Sequence, residues 1–164
     1  GLIPTNDFGP LISETQRERV MSYIQLGQDE GAELLTGGES IGDKGFFVKP
    51  TIFSNVRGDM RIAKEEIFGP VLCAQSFENE DLETIAQQAN DTSYGLSGSV
   101  WTQDISVAHK MAMLIDAGQV SINCHAAVDP AIPFGGNKQS GWGREFGKEG
   151  LEPYLKTKAT SVIF

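Results

Sequence analysis

Polar and apolar positions along this chain follow helical spacing in some stretches and strand spacing in others. Ser13-Glu-Thr-Gln16 has the form of a capping box. Val20, Tyr23, Ile24 and Gly27 then recur at helical spacing, while Arg17, Glu18, Gln25 and Gln28 can face water, which predicts a helix from Ser13 to about Gly31. Gly37, Gly38, Gly42 and Gly45 punctuate a loop. Residues 46–48 and 51–56 read as short strands around Pro50, a residue confined to edges and bends. The apolar run 71–77 has strand length and predicts a buried strand. Leu82, Ile85, Ala86 and Ala89 predict a helix over 81–90, and 95–101 a strand. Asp104 caps a helix reaching Ala117, with Ile105, Ala108, Ala112 and Ile115 on its apolar face, and Gly118 stands where helices commonly stop. A strand over 119–123, a short helix over 148–155 and a last strand over 159–164 complete the pattern. Strands alternating with helices imply an α/β fold, a mainly parallel sheet with flanking helices.

Size and composition narrow the class. A chain of 164 residues, 40% hydrophobic and 21% charged, has the makings of one compact globular body. The net charge of -9 and the scattered lysines and arginines argue against nucleic acid as a partner. No apolar stretch is long enough to span a bilayer, so no membrane partner is expected. Cys73 and Cys124 fit a reducing compartment, and the expected localisation is cytoplasmic. Two cysteines and two histidines at unrelated spacings make no metal site.

The densest chemistry lies in Pro133-Phe-Gly-Gly-Asn-Lys-Gln-Ser-Gly-Trp-Gly-Arg-Glu145, where glycines crowd around Lys138 and Arg144. Such a loop could cradle an anion on backbone N–H groups, but neither established glycine motif is met: Gly141 to Gly147 misses the dinucleotide spacing by one residue. Glu65 and Glu66 are adjacent, so in an extended segment they point to opposite sides and cannot act as a paired acid and base. From the residues alone they are either a solvated acidic pair before a turn or one carboxylate facing a ligand. Cys124 and His125 are sequence neighbours, a poor geometry for a nucleophile and its base.

The glycine-rich run, together with Ala63-Lys-Glu-Glu-Ile-Phe-Gly-Pro-Val71 and Gly150-Leu-Glu-Pro-Tyr-Leu-Lys-Thr-Lys158, resembles the C-terminal part of the NAD(P)-dependent aldehyde dehydrogenase family. The resemblance implies part of an aldehyde dehydrogenase-like catalytic domain over residues 1–150 and an oligomerisation segment over 151–164, through which the protein would form a homo-oligomer. It gives Glu66 the task of accepting hydrogen bonds from the nicotinamide ribose of NAD or NADP, with Phe68 packed beside it. It makes the glycine-rich run a structural loop, and places Val128 and Phe134 on the wall of the aldehyde tunnel. The loop from Cys124 to Ile132, with small Ala126 and Ala127, is similar to members acting on bulky aldehydes, such as phenylacetaldehyde or betaine aldehyde dehydrogenases. In that family a cysteine thiolate attacks the aldehyde, hydride passes to NAD(P) and a glutamate-activated water releases the acid. The nucleophile and base have no match among these residues, so no catalytic residue is assigned and the chain alone is expected to be inactive. The alternative from another class is a non-catalytic interaction module assembled through its β-prone C-terminal run.

Overall fold

Ser13, in extended backbone, accepts the Gln16 N–H on its hydroxyl at 3.2 Å and starts helix α1 (Glu14–Asp29). The helix buries Val20, Tyr23, Ile24 and Gly27, the four residues its spacing picked out. Glu18, Gln25 and Gln28 face water, whereas Arg17 lies over the Phe46 ring and is half-buried. The computed structural model describes residues 7–78, 81–125 and 127–164. Those up to 78 form one compact unit and those from 81 a second, where one body was expected. The division follows the backbone pairing, since each unit closes its own sheets.

The first unit continues with β1 (Glu33–Thr36), β2 (Ser40–Ile41), β3 (Phe47–Val48), β4 (Thr51–Ser54), α2 (Arg61–Lys64) and β5 (Val71–Cys73). β4 is central, antiparallel to β1 and parallel to β5, while β2 and β3 form a separate antiparallel pair. Its Phe53 is fully buried and packs with Val20, Ile24, Met60, Ile62 and Ile67. Gly27 makes this approach possible, because a Cβ there would stand 3.1 Å from the Phe53 ring and 3.0 Å from Ile62. Buried Thr51 is satisfied at both ends: its hydroxyl donates to the Lys49 carbonyl at 2.8 Å and accepts from the Gly38 N–H at 2.9 Å. The expected strand over 71–77 is shorter and less buried than its composition suggested. It stops at Cys73, and Leu72 is 60% exposed, because β5 pairs on one side only and lies at the sheet edge.

The second unit contains α3 (Leu82–Asn90), β6 (Tyr94–Gly95), β7 (Ser97–Val100), α4 (Ile105–Leu114), β8 (Gln119–Ile122), β9 (Asn137–Lys138) and a 3-10 turn over Glu152–Tyr154. Asp81 and Asp104 cap their helices, accepting from Thr84 N–H and from Ser106 and Val107 N–H. β7, α4 and β8 make a strand-helix-strand unit with parallel pairing, and β6 pairs antiparallel with β9. The α/β class therefore holds, with parallel pairing confined to β4–β5 and β7–β8 among the described residues.

Three local expectations differ from the structure here. The inward face of α4 is centred on Ala108 and Met111, with Ile105 exposed at its first turn. The helix expected over 148–155 is only the 3-10 turn, where Pro153 removes a backbone donor. The terminal run 159–164 forms no strand, and Val162, Ile163 and Phe164 are exposed, since a strand needs a neighbour to bond. Among the described residues no helix is long and apolar enough to cross a membrane.

Gly118 marks a close backbone approach in the second unit. Its N–H donates to the Gly95 carbonyl at 2.9 Å, and a Cβ on it would stand 1.6 Å from the Gly135 carbonyl oxygen. Gly118→Ala should therefore destabilise the protein by about 3 kcal/mol, through overpacking against rigid backbone. Gly58, with nothing within 4 Å of its would-be Cβ, should tolerate alanine within about 0.5 kcal/mol. Urea unfolding of both variants checks the contrast; equal midpoints would contradict it.

Candidate functional site

The turn from Glu65 to Pro70 leaves α2 in extended backbone, with φ -106° and ψ 145° at Glu65. Successive side chains in such a segment point to opposite sides, and of the two glutamates Glu65 is held by partners while Glu66 is exposed. Glu65 turns toward α1. Its carboxylate accepts the Tyr23 hydroxyl at 2.5 Å and a two-pronged contact from Arg61, Nε at 2.8 Å and Nη2 at 3.0 Å. The Arg61 guanidinium and then the Tyr23 hydroxyl hold the Glu65 carboxyl down at about 2. The same hydrogen bond, together with burial, pushes the Tyr23 hydroxyl up.

Glu66 turns outward and is exposed, with no hydrogen bond to its carboxylate among the described residues. Its backbone is held, because Arg19 donates to the Glu66 carbonyl at 2.8 Å while lying over the Tyr23 ring at 4.9 Å. The Gln16 side chain donates to the carbonyls of Ile67 at 3.3 Å and Phe68 at 2.9 Å. The capping box is thus realised in one half, with the Gln16 amide reaching across to this turn. Ile67 is buried, and a Cβ on Gly69 would lie 2.5 Å from Val20 Cγ2. Between them Phe68 sits at φ 57° with its ring 72% exposed. A bulky residue in left-handed backbone is uncommon and strained. The outcome is a clamped turn that presents one free carboxylate and one bare phenyl ring.

Gln16, Arg19, Tyr23 and Glu65 were not picked out as site residues in the sequence. The signal was present in part, since Gln16 and Arg19 fall on the helical stripe that ends at Tyr23 of the apolar face, but polar residues of a helix read first as solvated and Tyr23 reads first as core.

Val128 and Phe134 belong to the second unit. Val128 is 48% exposed on a loop held by the Gln119 side-chain amide, which donates to the Ala127 carbonyl at 2.7 Å. Ala126, also assigned to this loop, lies outside the described residues. Phe134 is half-buried and fixed by two backbone bonds with Glu145, at 2.8 and 2.7 Å. It lines an open groove of about 370 Å3 with Leu96, Trp142, Arg144 and Pro153.

The cations of the glycine-rich run are spent on the chain itself. Lys138 donates to the Asn90 carbonyl at 2.9 Å, and Arg144 to the carbonyls of Gly136 at 2.9 Å and Gly143 at 2.7 Å and to Asn137 Oδ1 at 2.8 Å. This is the bonding of a structural loop. His125 Nδ1 meets the Ser99 hydroxyl at 2.9 Å, so its partner lies on β7.

A family model described as the aldehyde dehydrogenase family matches residues 1–160. The mitochondrial aldehyde dehydrogenase of Leishmania tarentolae is 48% identical over 154 residues, 94% of this chain and 30% of that protein. Among solved structures, the NAD+ complex of an aldehyde dehydrogenase from Bacillus cereus is 48% identical with a TM-score of 0.88, over 92% of this chain and 30% of that one. An indole-3-acetaldehyde dehydrogenase in complex with NAD+ is 43% identical with a TM-score of 0.91, over 96% and 32%. The chain spans about a third of the length of the curated relatives it matches.

Two measurements test the clamped turn. Glycine occupies left-handed backbone without a Cβ penalty, so Phe68→Gly should be more stable than Phe68→Ala by about 1 kcal/mol, and equal midpoints would remove the strain from the account. The second concerns pH. Glu65 titrates at about 2 in the folded protein against an ordinary 4.5, so the unfolded chain takes up the proton first. Its contribution is complete above 4.5 and lost as pH falls toward 2. The stability difference between the unaltered protein and Glu65→Gln should be constant above about pH 5 and shrink steadily below it, as read from urea midpoints; a difference independent of pH would contradict this.

Proposed function

The chain belongs to the aldehyde dehydrogenase family, and on that premise we propose that the intact protein oxidises an aldehyde to a carboxylic acid with NAD as hydride acceptor. NAD, when bound, takes up the hydride released from the aldehyde carbon. The residues described here hold and orient. Residues 1–150 are read as part of the catalytic domain and 151–164 as the oligomerisation segment. Because no match to the family's nucleophile or base is found among these residues, they should not turn over aldehyde by themselves.

The observation that carries this reading is the outward Glu66 carboxylate on a turn fixed from behind. A carboxylate offers only acceptors, which suits the two hydroxyls of a ribose. The exposed Phe68 ring beside it supplies an apolar face for the nicotinamide end of the cofactor. Chemistry favours Glu66 over its neighbour, since Glu65 is already taken by Arg61. NAD is favoured over NADP because the solved relatives named above were captured with NAD+.

On the substrate side, Phe134 and Val128 are read as apolar wall, since a small ligand gains most of its affinity by burying its carbon skeleton. The similarity to an indole-3-acetaldehyde dehydrogenase supports an aromatic or otherwise bulky aldehyde. Exposed Val162, Ile163 and Phe164 support assembly through the C-terminal run, where a neighbouring subunit would supply the missing strand partner. Free Cys73 and Cys124 accord with a cytoplasmic setting.

In the full-length protein, Glu66→Gln should raise the KM for NAD by about tenfold, the worth of one charge-assisted hydrogen bond, with the KM for aldehyde little changed. Unchanged NAD kinetics would refute the assignment.

A further inference from the structure

We infer that Glu65 is a positioning residue for the cofactor-facing turn, acting through Tyr23 and Arg61 to fix the direction in which the Glu66 carboxylate projects. The inference rests on the reading of Glu66 as the ribose acceptor, and it adds a residue that touches no cofactor in that reading.

The starting point is that the two presented side chains have little packing of their own. Glu66 is exposed and Phe68 is 72% exposed, so their directions are inherited from the backbone. In extended backbone, fixing one side chain fixes its neighbour to the other side. Glu65 is fixed by three donors, the Tyr23 hydroxyl and two nitrogens of Arg61. Both partners are themselves anchored. The Tyr23 ring is buried in the core, and the Arg61 N–H is held by the Glu30 carboxylate at 3.0 and 3.1 Å. Glu30 is the C-cap of α1 and Tyr23 lies within it, so one helix secures the Glu65 carboxylate through two routes.

The remaining contacts act on the turn from Glu66 onward. Arg19 and Gln16 grip carbonyls of Glu66, Ile67 and Phe68, which limits movement of the turn away from the helix. Buried Ile67, with Gly69 packed on Val20, anchors the middle of the turn. Glu65 holds the segment that leads into it from α2, and with that segment the Glu66 carboxylate. The Arg61–Glu65 pair is also substantially exposed, and ion pairs of that kind add little to stability. Loss of Glu65 should therefore register in cofactor binding more than in resistance to unfolding.

The test uses the full-length enzyme. Glu65→Gln should raise the KM for NAD about three- to tenfold while kcat at saturating NAD and the KM for aldehyde stay within about twofold. Tyr23→Phe, which removes only the hydroxyl, should act in the same direction and more weakly, and it carries the test alone if Glu65→Gln does not fold. Since Glu65 acts through Glu66, the double variant Glu65→Gln/Glu66→Gln should have the same KM for NAD as Glu66→Gln alone. A silent Glu65→Gln or Tyr23→Phe beside a damaging Glu66→Gln overturns this inference and leaves the ribose assignment standing. Multiplicative effects in the double variant overturn it as well. A silent Glu66→Gln overturns the ribose assignment and this inference together.

Discussion

In the first unit, the bond between the Tyr23 hydroxyl and the Glu65 carboxylate ties the turn after α2 to the core. A buried tyrosine needs a partner for its hydroxyl, and the ring of Tyr23 lies in the same cluster as Val20, Ile24 and Phe53. The polar end of that ring therefore emerges where the turn passes, and the turn supplies an ionised acceptor. One side chain thus belongs to both the core and the turn. The stripe that includes Gln16 and Arg19 extends the arrangement along α1, so that a helix carrying an apolar face toward β4 also carries a row of donors toward the carbonyls of residues 66–68.

The second unit reaches order by another route. Its long connection between β8 and β9 has little regular structure, and its glycines let backbone approach backbone. Lys138 and Arg144 then act as internal cross-links, each donating to carbonyls that no helix or sheet partner serves. Asn90 does the same at the ends of two helices, donating to the Leu114 carbonyl and accepting from the Asp116 N–H, both at 2.8 Å. Phe134, only half-buried, is held by its two backbone bonds with Glu145.

What was legible in the sequence follows from how local each signal is. Ser13, Asp81 and Asp104 cap helices within three residues of themselves; Ser13 and Asp104 read as caps, and Asp81 as the start of a helix marked by its apolar spacing. The buried face of α1 was readable for the same reason. β1 was missed because Glu33-Leu-Leu-Thr36 has no β-branched residue before Thr36 and no alternation, and its pairing partner β4 lies fifteen or more residues away in a register only the fold defines. The runs 71–77 and 159–164 were over-read, since apolar β-prone residues announce a strand while only a bonded neighbour makes one. Glu66 and Phe68 rested on resemblance alone, and Glu65 was hidden by standing next to Glu66. Arg61 stands at the i,i+4 spacing of a helical ion pair, whereas Tyr23 sits on a helix forty-two positions earlier, a juxtaposition that spacing does not reveal.

Gly118 and Phe68 are both positions where the backbone restricts the residue, and they restrict it differently. At Gly118 the obstacle is space: the Gly135 carbonyl occupies the volume of a Cβ, so every side chain is excluded at its first atom and size beyond that is irrelevant. At Phe68 the obstacle is a torsion angle, which penalises side chains in proportion to their branching near the backbone. Variation among descendants of this sequence would accordingly be all-or-none at the first position and graded at the second, with unbranched and aromatic residues tolerated ahead of valine or isoleucine.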